Sequence, residues 1–280
     1  MRRPLDLEMV RRGLVPSREE AATAIRAGAV LVAGRPATKA AALVAPAESI
    51  AISKDDGGFV SRGGRKLEAA LQRFPVVVAG RRALDAGAST GGFTQCLLLR
   101  GAAAVVAVDV GYGQLDWSLR TDERVTVLER TNARVLEPDM LPFAPDVVTA
   151  DLSFISLTLV IPALARCAAD RADFVVLVKP QFEAAREDVA AGGVVLDVDT
   201  RRRAIRRAAS ACVAAGLTVR GVTASPVLGP AGNAEFFLWA ARPGEHADHE
   251  SRGAAESGDA MLERSIEDAL REAPDAIEAP

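Results

Sequence analysis

The stretch that decides the fold is LDAGASTGGFT, residues 84–94. It continues an apolar segment at 82–87 and opens a second apolar stretch at 93–100 that has helical spacing, which is the pattern of a strand, a glycine-rich loop and a helix. Ligands of open α/β sheets bind at the carboxyl ends of the strands, so this loop is a candidate binding site. Gly87, Gly91 and Gly92 would permit a close backbone approach and positive φ angles.

The same alternation of strand and helix continues on both sides of this loop. Apolar strands are predicted at 82–87, 104–110, 124–129, 146–151 and 173–180, and helices at 93–100, near 113–119, at 156–169 and at 200–215. Such alternation predicts a parallel sheet that is covered on both faces. Residues 217–225 and 234–241 are two further strands with no helix between them, so the sheet is expected to end in an antiparallel pair. The predicted fold class is α/β.

The chain before this sheet is predicted to form a small α+β domain. One helix starts near Leu5, and Ser17 is a suitable N-cap for a second, with Glu20 completing a capping box. That second helix should run to about Ala27, and short strands are expected at 29–34 and 49–53. Residues 55–58, DDGG, form a linker, and another short helix is predicted on GGRKLEAALQRF, residues 63–74.

Length and composition limit the class of protein. A chain of 280 residues with 49% hydrophobic residues suggests two domains with an ordinary core. We place the boundaries at 1–58, 59–243 and 244–280. The last segment is an acidic tail, and disorder is expected at 243–258. A short amphipathic helix is predicted at 259–272 through Met261, Leu262, Ile266, Ala269 and Leu270. No apolar run reaches the roughly 18 residues that span a bilayer, and the N-terminus lacks a secretory h-region.

The absence of an apolar span and of a secretory h-region, together with three widely spaced cysteines expected to be packing residues, indicates a cytoplasmic protein with reduced thiols.

Charge is distributed unevenly along the chain. Residues 1–66 carry a net charge of +5, residues 67–243 are neutral, and residues 244–280 carry −8. A basic front end suggests that residues 1–66 meet a polyanion such as nucleic acid, although small domains also vary by a few charges at random.

The glycine-rich loop lacks the signatures of phosphate binding. It contains no GK[ST] sequence, and Ser89 occupies the second glycine position of G-x-G-x-x-G. The next strand ends in Asp109, about 22 residues beyond Gly87, where an acid can accept both hydroxyls of a ribose. This combination favours S-adenosylmethionine over NAD, while a purely structural turn is the alternative.

Four polar residues lie at the ends of predicted elements. Asp151 and Lys179 end two strands, Glu235 begins the last strand, and Lys66 lies in the helix before the sheet. Each has an ordinary explanation alone, as a helix cap, a surface lysine or a salt-bridge partner. The chain, however, has 30 Arg and only 4 Lys, so a lysine retained after VVLV, where its ammonium can be tuned, favours a chemical role.

Taken in order, the motifs SRGGRKL, LDAGASTGGFTQCLL, VDVGYGQLDWSLR, ERTNAR, ADLSFISL, LVKPQFE, GGVV and SPVLGPAGNAEFFLW resemble the TlyA (hemolysin A) family. The resemblance covers about residues 5–243. It implies an FtsJ-like, Rossmann-like class I methyltransferase sheet that follows an RNA-binding domain of the ribosomal-protein S4 type. It also implies methylation of cytidine ribose in ribosomal RNA, of the 16S type, the 23S type or both.

The resemblance implies a catalytic tetrad, which would fall on Lys66, Asp151, Lys179 and Glu235. From the chemistry of these side chains we assign Lys179 as the base and Asp151 as the group that holds and orients its ammonium, with Lys66 and Glu235 flanking the ribose. S-adenosylmethionine would be bound by Asp85, Gly87, Ala88, Ser89, Thr90, Gly91, Gly92, Phe93, Asp109, Asn132 and Asp151. Ribosomal RNA or ribosomal subunits would meet Arg2, Arg3, Arg11, Arg12, Arg18, Arg62 and Arg65.

The sequence departs from the family's pattern in places, and two other functions are alternatives to the methyltransferase. The RNA-binding module usually opens R-L-D but here reads Pro4-Leu5-Asp6, and the loop after PQFE lacks its usual glycines. An RNA-binding assembly factor with an inactive methyltransferase fold would need a broken tetrad or a filled cofactor loop, and the sequence shows neither. A membrane-lytic protein would need an apolar span or a strongly amphipathic basic helix, whereas the helix expected in the tail is acidic. No membrane partner and no metal are expected, including at His246 and His249 in the acidic tail.

Overall fold

The computed structural model describes residues 2–15, 17–26, 30–37, 39–52, 58–190, 192–242 and 258–276. Lys54, most of the predicted linker, the end predicted for the second helix and both histidines lie outside the described residues. The same holds for 243–257, where the sequence predicts disorder.

The first part of the described chain is a small α+β unit with its own apolar core. Its elements are β1 (Arg3–Pro4), α1 (Leu5–Arg11), α2 (Arg18–Arg26), β2 (Val30–Val32), β3 (Arg35–Pro36), β4 (Leu43–Val44) and β5 (Ile50–Ile52). Strands β3, β2 and β5 form one antiparallel sheet, and β1 pairs with β4. Leu5, Met9 and Val30 are fully buried between the helices and the sheet. The predicted N-cap is confirmed, since Ser17 Oγ accepts a hydrogen bond from Glu20 N at 3.2 Å.

The second part is built on a seven-stranded sheet. Its strands are β6 (Arg82–Ala86), β7 (Ala104–Val108), β8 (Val125–Leu128), β9 (Val147–Ala150), β10 (Ala172–Val178), β11 (Thr218–Ala224) and β12 (Phe236–Arg242). The order across the sheet is β11-β12-β10-β9-β6-β7-β8. Strand β12 runs antiparallel to both of its neighbours, β10 and β11, and the other pairs of the described sheet are parallel. The predicted antiparallel end is confirmed, with the reversed strand inserted between β10 and the edge strand β11.

Helices cover both faces of this sheet. They are α3 (Arg62–Arg73), α4 (Gly92–Leu99), α5 (Trp117–Arg120), α6 (Leu157–Cys167), α7 (Pro180–Glu183), α8 (Val198–Ala214) and α9 (Gly258–Glu272). Helices α3 and α4 pack on one face, and α6 and α8 pack on the other. Central strands therefore bury successive side chains on opposite faces, as Val175 and Val176 do in β10, which explains their continuous apolar sequence. The three cysteines are unpaired and buried, as expected of packing residues.

Helix α9 covers the open edge of the sheet. Ser265 Oγ accepts a hydrogen bond from Val222 N at 2.7 Å and donates one to Val222 O at 3.1 Å, which satisfies an edge position of β11. Ile266 and Ala269 are completely buried against the sheet layer. The predicted helix is confirmed, but Met261 is 43% exposed, so the apolar face is narrower than the sequence suggested.

The topology collects the predicted site residues at one edge of the sheet. The order of the parallel strands reverses between β6 and β9, and ligands of such sheets bind outside this point. Gly87, Asp109, Asp151 and Lys179 follow the carboxyl ends of β6, β7, β9 and β10. Glu235 precedes β12, and because β12 is reversed, its beginning lies at the same edge.

Candidate active site

The loop between β6 and α4 is held in a conformation that requires glycine. Gly87 has φ +87°, and a Cβ there would collide with the carbonyl oxygen of Asp151. Gly91 has φ +101°, and a Cβ there would collide with the Leu119 side chain. Ser89 also has a positive φ, of 49°. Its backbone N donates to Asp109 Oδ2 at 2.8 Å, so the acid after β7 fixes this loop.

A cavity of about 800 Å³ opens beside this loop. The residues that line it include Gly87, Ser89, Asp109, Asn132, Asp151 and Phe154. Besides Ser89 N, Asp109 accepts a hydrogen bond from Gly111 N through Oδ1 at 2.7 Å. Each carboxylate oxygen carries a second lone pair, so Asp109 can still accept the hydroxyls of a ribose. We call this space the large cavity.

A smaller cavity of about 280 Å³ adjoins the large cavity. The two cavities share Gly87, Ser89, Asp151 and Ser153. The smaller one, here called the small cavity, is also lined by the predicted cofactor residues Ala88, Thr90, Gly92 and Phe93, and by Ser61, Arg62, Lys66, Lys179 and Pro230. A molecule in the large cavity and another in the small cavity would therefore meet beside Asp151.

Two of the predicted cofactor residues line neither cavity. Gly91 packs against the side chains of Leu115 and Leu119, and Asp85 is completely buried behind the loop. Thr94 Oγ1 donates to Asp85 Oδ2 at 2.7 Å, while Asp85 Oδ1 has no hydrogen-bond partner among the described residues. Burial raises the pKa of Asp85 to about 7, because the charged form is poorly solvated there. The hydrogen bond from Thr94 connects Asp85 to the first turn of α4.

The four predicted catalytic residues come together as two ion pairs. Lys179 Nζ lies 2.6 Å from Asp151 Oδ1 and donates to Ser153 Oγ at 3.0 Å. Lys66 Nζ donates to Glu235 Oε2 at 2.5 Å. Lys66 is 3% exposed and Lys179 is 8% exposed, so both ammonium groups are largely shielded from solvent.

Glu235 lies deeper in the protein than Lys66. Glu235 is completely buried and does not line the small cavity, whereas Lys66 does. The carboxylate thus lies behind Lys66, away from the small cavity, and orients the Lys66 ammonium. The register of β12 explains this, because the chain enters the sheet directly after Glu235 and places it under the rim.

The predicted RNA-binding arginines differ in their surroundings. Arg2, Arg3 and Arg65 are exposed, and Arg62 lines the small cavity. By contrast, Arg11, Arg12 and Arg18 hold acids of the small unit, with Arg11 and Arg12 on Glu8 and Arg18 on Asp6. Arg12 also donates to the backbone oxygens of Pro46 and Glu48. Arg11, Arg12 and Arg18 therefore stabilise the small unit itself.

Sequence reasoning did not single out Phe154. This residue has φ +64° and is 92% exposed, although it belongs to the quoted motif ADLSFIS. Its ring lies 5.2 Å from that of Phe182, and both residues line the large cavity. An aromatic side chain is unusual in a chain with only 4% aromatic residues, and that scarcity was the signal available in the sequence.

The small unit contacts the larger one close to this site. Trp117 N donates to Gly34 O at 3.3 Å, and the Arg35 guanidinium lies 4.4 Å from the centre of the Trp117 ring. Asp116, the residue before Trp117, donates through its backbone N to Thr90 O in the glycine-rich loop. The β2–β3 turn of the small unit is thus connected to the loop through two consecutive residues.

The described part of the chain contains no helix long and apolar enough to cross a membrane. Within the same residues, no group of three or more His, Cys, Asp or Glu side chains is placed to hold a metal ion.

Comparison with known proteins identifies the two parts of the chain. The FtsJ-like methyltransferase model matches residues 59–242, and the S4 domain model matches residues 3–50. The protein named 16S/23S rRNA (cytidine-2′-O)-methyltransferase TlyA from Mycobacterium tuberculosis is 55% identical over 236 residues, which cover 84% of this chain and 88% of the relative.

Further relatives carry a hemolysin name. Hemolysin A of Brachyspira hyodysenteriae is 39% identical, over 80% of this chain and 94% of the relative. A crystal structure from Lactococcus lactis, whose name also contains the word hemolysin, is 37% identical and has a TM-score of 0.67, over 76% of this chain and 97% of that chain. The chain therefore belongs to the FtsJ-like methyltransferase family and, within it, to the TlyA (hemolysin A) group, with an S4 domain before the methyltransferase domain.

Proposed function

We propose that this protein transfers a methyl group from S-adenosylmethionine to the 2′-hydroxyl of a cytidine ribose in ribosomal RNA, of the 16S type, the 23S type or both. The observation that carries this proposal is the junction of the two cavities at Asp151, with Lys179 and Lys66 on the small-cavity side. The name of the relative from Mycobacterium tuberculosis supports the choice of substrate. Ribosomal RNA as substrate would place the protein in the cytoplasm.

The residues around the large cavity fit S-adenosylmethionine. Asp109 offers carboxylate lone pairs for ribose hydroxyls, and the loop at 87–92 can approach a ligand closely because its glycines carry no side chain. Asp85 Oδ1, behind the loop, has no hydrogen-bond partner among the described residues, so it remains free to accept a hydrogen bond. When bound, S-adenosylmethionine would supply a methyl group carried on a sulfonium, and the neutral thioether left after transfer is a good leaving group.

Lys179 is the group that we assign to proton transfer. A ribose hydroxyl ionises only far above neutral pH, so it needs a base or a cation beside it to become a nucleophile. A neutral Lys179 Nζ can accept the hydroxyl proton, and the ammonium that forms is then stabilised by Asp151 at 2.6 Å. Ser153, at 3.0 Å from Nζ, restricts the direction of the amine.

Lys66 and Glu235 position the substrate. Lys66 reaches the small cavity from α3, and Glu235 holds its ammonium from behind. A fixed cation next to the hydroxyl favours the developing alkoxide and restrains the ribose, and such positioning can supply a large part of the rate. The pair needs no metal for this role.

The surroundings of the site suggest how RNA is held. Residues 1–66 carry a net charge of +5, and the S4 domain match lies within them. Arg62 lies at the small cavity, where a phosphate of the target nucleotide would be close. The exposed Phe154 offers a flat face on which a base that has left its stack can lie.

Methyl transfer from labelled S-adenosylmethionine to separated ribosomal subunits tests this proposal. The subunits should come from cells that lack the modification, and the protein should be used as the full chain. We expect label in the RNA of at least one subunit and none in its proteins. Label confined to protein, or no label in either subunit, would contradict the proposal.

A further inference from the structure

A further concave surface lies at the rim of the seven-stranded sheet opposite the active site, where strands β6, β9 and β10 begin. A space of about 780 Å³ is lined by residues that include Val77, Arg81, Arg171, Arg220, Trp239 and Arg242, and we call it the arginine groove. Strand β10 runs from Ala172 beside this groove to Val178 below Lys179. A strand rises about 3.3 Å per residue, so the groove lies about 20 Å from Lys179 and is separate from both cavities of the active site.

Two of the four arginines in the groove serve the fold. Arg81 Nη1 lies 2.6 Å from Asp173 Oδ2, and Asp173 also accepts a hydrogen bond from Trp239 Nε1 at 2.9 Å. Arg242 donates to Ala165 O at 2.6 Å, near the end of α6. These contacts fix the walls of the groove and satisfy one of its two acids.

The other acid is also engaged. Asp146 Oδ2 accepts a hydrogen bond from Arg82 N at 3.1 Å and lies 3.6 Å from Arg82 Nε. The lining contains four arginines and two aspartates, a net charge of +2, in a chain whose net charge is −3. With both aspartates engaged, the groove offers surplus positive charge and no free carboxylate to neutralise it.

The surplus comes from Arg171 and Arg220. Both are exposed, and neither forms an ion pair or a side-chain hydrogen bond with any residue that the structure describes. Arg220 is skipped by the pairing of β11 with β12, in which Val219 lies opposite Ala240 and Gly221 lies opposite Trp239. An irregularity of this kind leaves a residue unpaired and redirects its side chain. Two unpaired cations in one groove do not stabilise the fold, which points to an anionic partner.

We infer that the arginine groove binds the phosphodiester backbone of the RNA substrate, at a distance from the modified nucleotide. The inference rests on the proposed function, because a ribosomal RNA substrate extends far beyond its target nucleotide and carries a phosphate at every position. A guanidinium fork fits a phosphate in a bidentate manner, which an ammonium does not. The arginine groove would thus be a second RNA contact in addition to the S4 domain.

The test compares two double variants of the full-length protein that lose the same charge. Arg171→Ala with Arg220→Ala removes the free cations of the groove. Arg206→Ala with Arg271→Ala is the control, since these arginines pair with Glu263 and Asp268 on the surface of α8 and α9. All four residues are exposed, so both double variants should fold, which thermal unfolding will establish.

Binding to the ribosomal RNA substrate is measured over a range of salt concentrations. Each lost phosphate contact should reduce the slope of log K against log salt by about 0.7–0.9, so the groove variant should lose about 1.5 in slope and bind about tenfold more weakly at moderate salt. Its KM for RNA should rise, while kcat and the affinity for S-adenosylmethionine stay at the wild-type values. A groove variant that matches the control variant in slope and affinity would overturn the inference.

The same experiment separates this inference from the proposed function. If the wild-type protein methylates the RNA and the groove variant binds it like the control, the groove is not an RNA contact and the function stands. If the groove variant binds RNA more weakly but the wild-type protein transfers no methyl group, the RNA contact is supported and the proposed function is wrong.

Discussion

We predict that Lys179→Arg lowers the rate of methyl transfer by about 100-fold or more while the cofactor still binds. Lys179 is 8% exposed, with Nζ 2.6 Å from Asp151 Oδ1 and 3.0 Å from Ser153 Oγ. Arginine retains the charge but does not release its proton at any working pH, so it cannot act as a base. Its planar fork also differs in shape from an ammonium, so it would not take the position of Nζ between Asp151 and Ser153.

The size of the effect follows from the role assigned to the amine. A positioned acid or base supplies about 10²–10⁴ in rate, and the lower end corresponds to about 2.7 kcal/mol of activation free energy. The 100-fold figure is the lower end because Lys66 and Glu235 remain in place and continue to position the ribose.

The assay is single-turnover methyl transfer with saturating labelled S-adenosylmethionine and ribosomal subunits that lack the modification. Lys39→Arg is the matched control, because Lys39 is exposed in the small domain, where a cation that faces phosphate needs only its charge. Titration calorimetry checks that both variants bind the cofactor as the wild type does. A Lys179→Arg enzyme that retains a rate within a few-fold of wild type would refute the assignment of Lys179 as the base.

Four further predictions concern the rest of the site. Asp109→Ala removes the acceptor for the backbone N–H groups of Ser89 and Gly111 and for ribose hydroxyls. Calorimetry should therefore give S-adenosylmethionine binding weaker by roughly 1–3 kcal/mol, and unchanged affinity would remove Asp109 from the site. Burial raises the pKa of Asp85 to about 7, so the folded protein holds this proton more tightly than the unfolded chain does. The free energy of unfolding of the wild type should therefore fall, relative to Asp85→Asn, as pH rises from about 4 to about 7, and parallel pH profiles in denaturant titrations would contradict this. Glu235→Ala leaves the Lys66 ammonium buried without its partner, so denaturant unfolding should register a loss of about 3–5 kcal/mol, whereas a loss below about 1 kcal/mol would mean that the pair is solvated. Phe154→Ala should raise KM for RNA several-fold, since base stacking contributes about 1–3 kcal/mol, and an unchanged KM would exclude Phe154 from RNA contact.

Sequence patterns predicted the sheet well because its central strands are apolar on both faces. The run FVVLV in β10 is apolar throughout, and parallel strands covered by helices require this. The gathering of Asp151 and Lys179 at one rim also followed from the sequence, because the carboxyl ends of parallel strands share an edge.

What the sequence could not supply are contacts between residues far apart in the chain. That Glu235 lies behind Lys66 depends on how β12 enters the sheet beside α3, a pairing of residues 169 positions apart. The cover that α9 provides for β11 likewise depends on Ser265 meeting an edge strand, which no local pattern indicates. The left-handed backbone that exposes Phe154 is set by the loop around it, since its own side chain disfavours that conformation.

The central claim is that the acceptor is a ribose 2′-hydroxyl of ribosomal RNA. A 2′-O-methyl group removes the nucleophile that cleaves RNA in alkali, so the modified nucleotide remains attached to its 3′ neighbour. The most direct measurement is therefore to digest RNA methylated with labelled cofactor in alkali, and then to identify the labelled nucleoside by mass spectrometry. We predict that the label resides in alkali-resistant dinucleotides that yield 2′-O-methylcytidine. Label in alkali-sensitive mononucleotides methylated on the base would contradict the account.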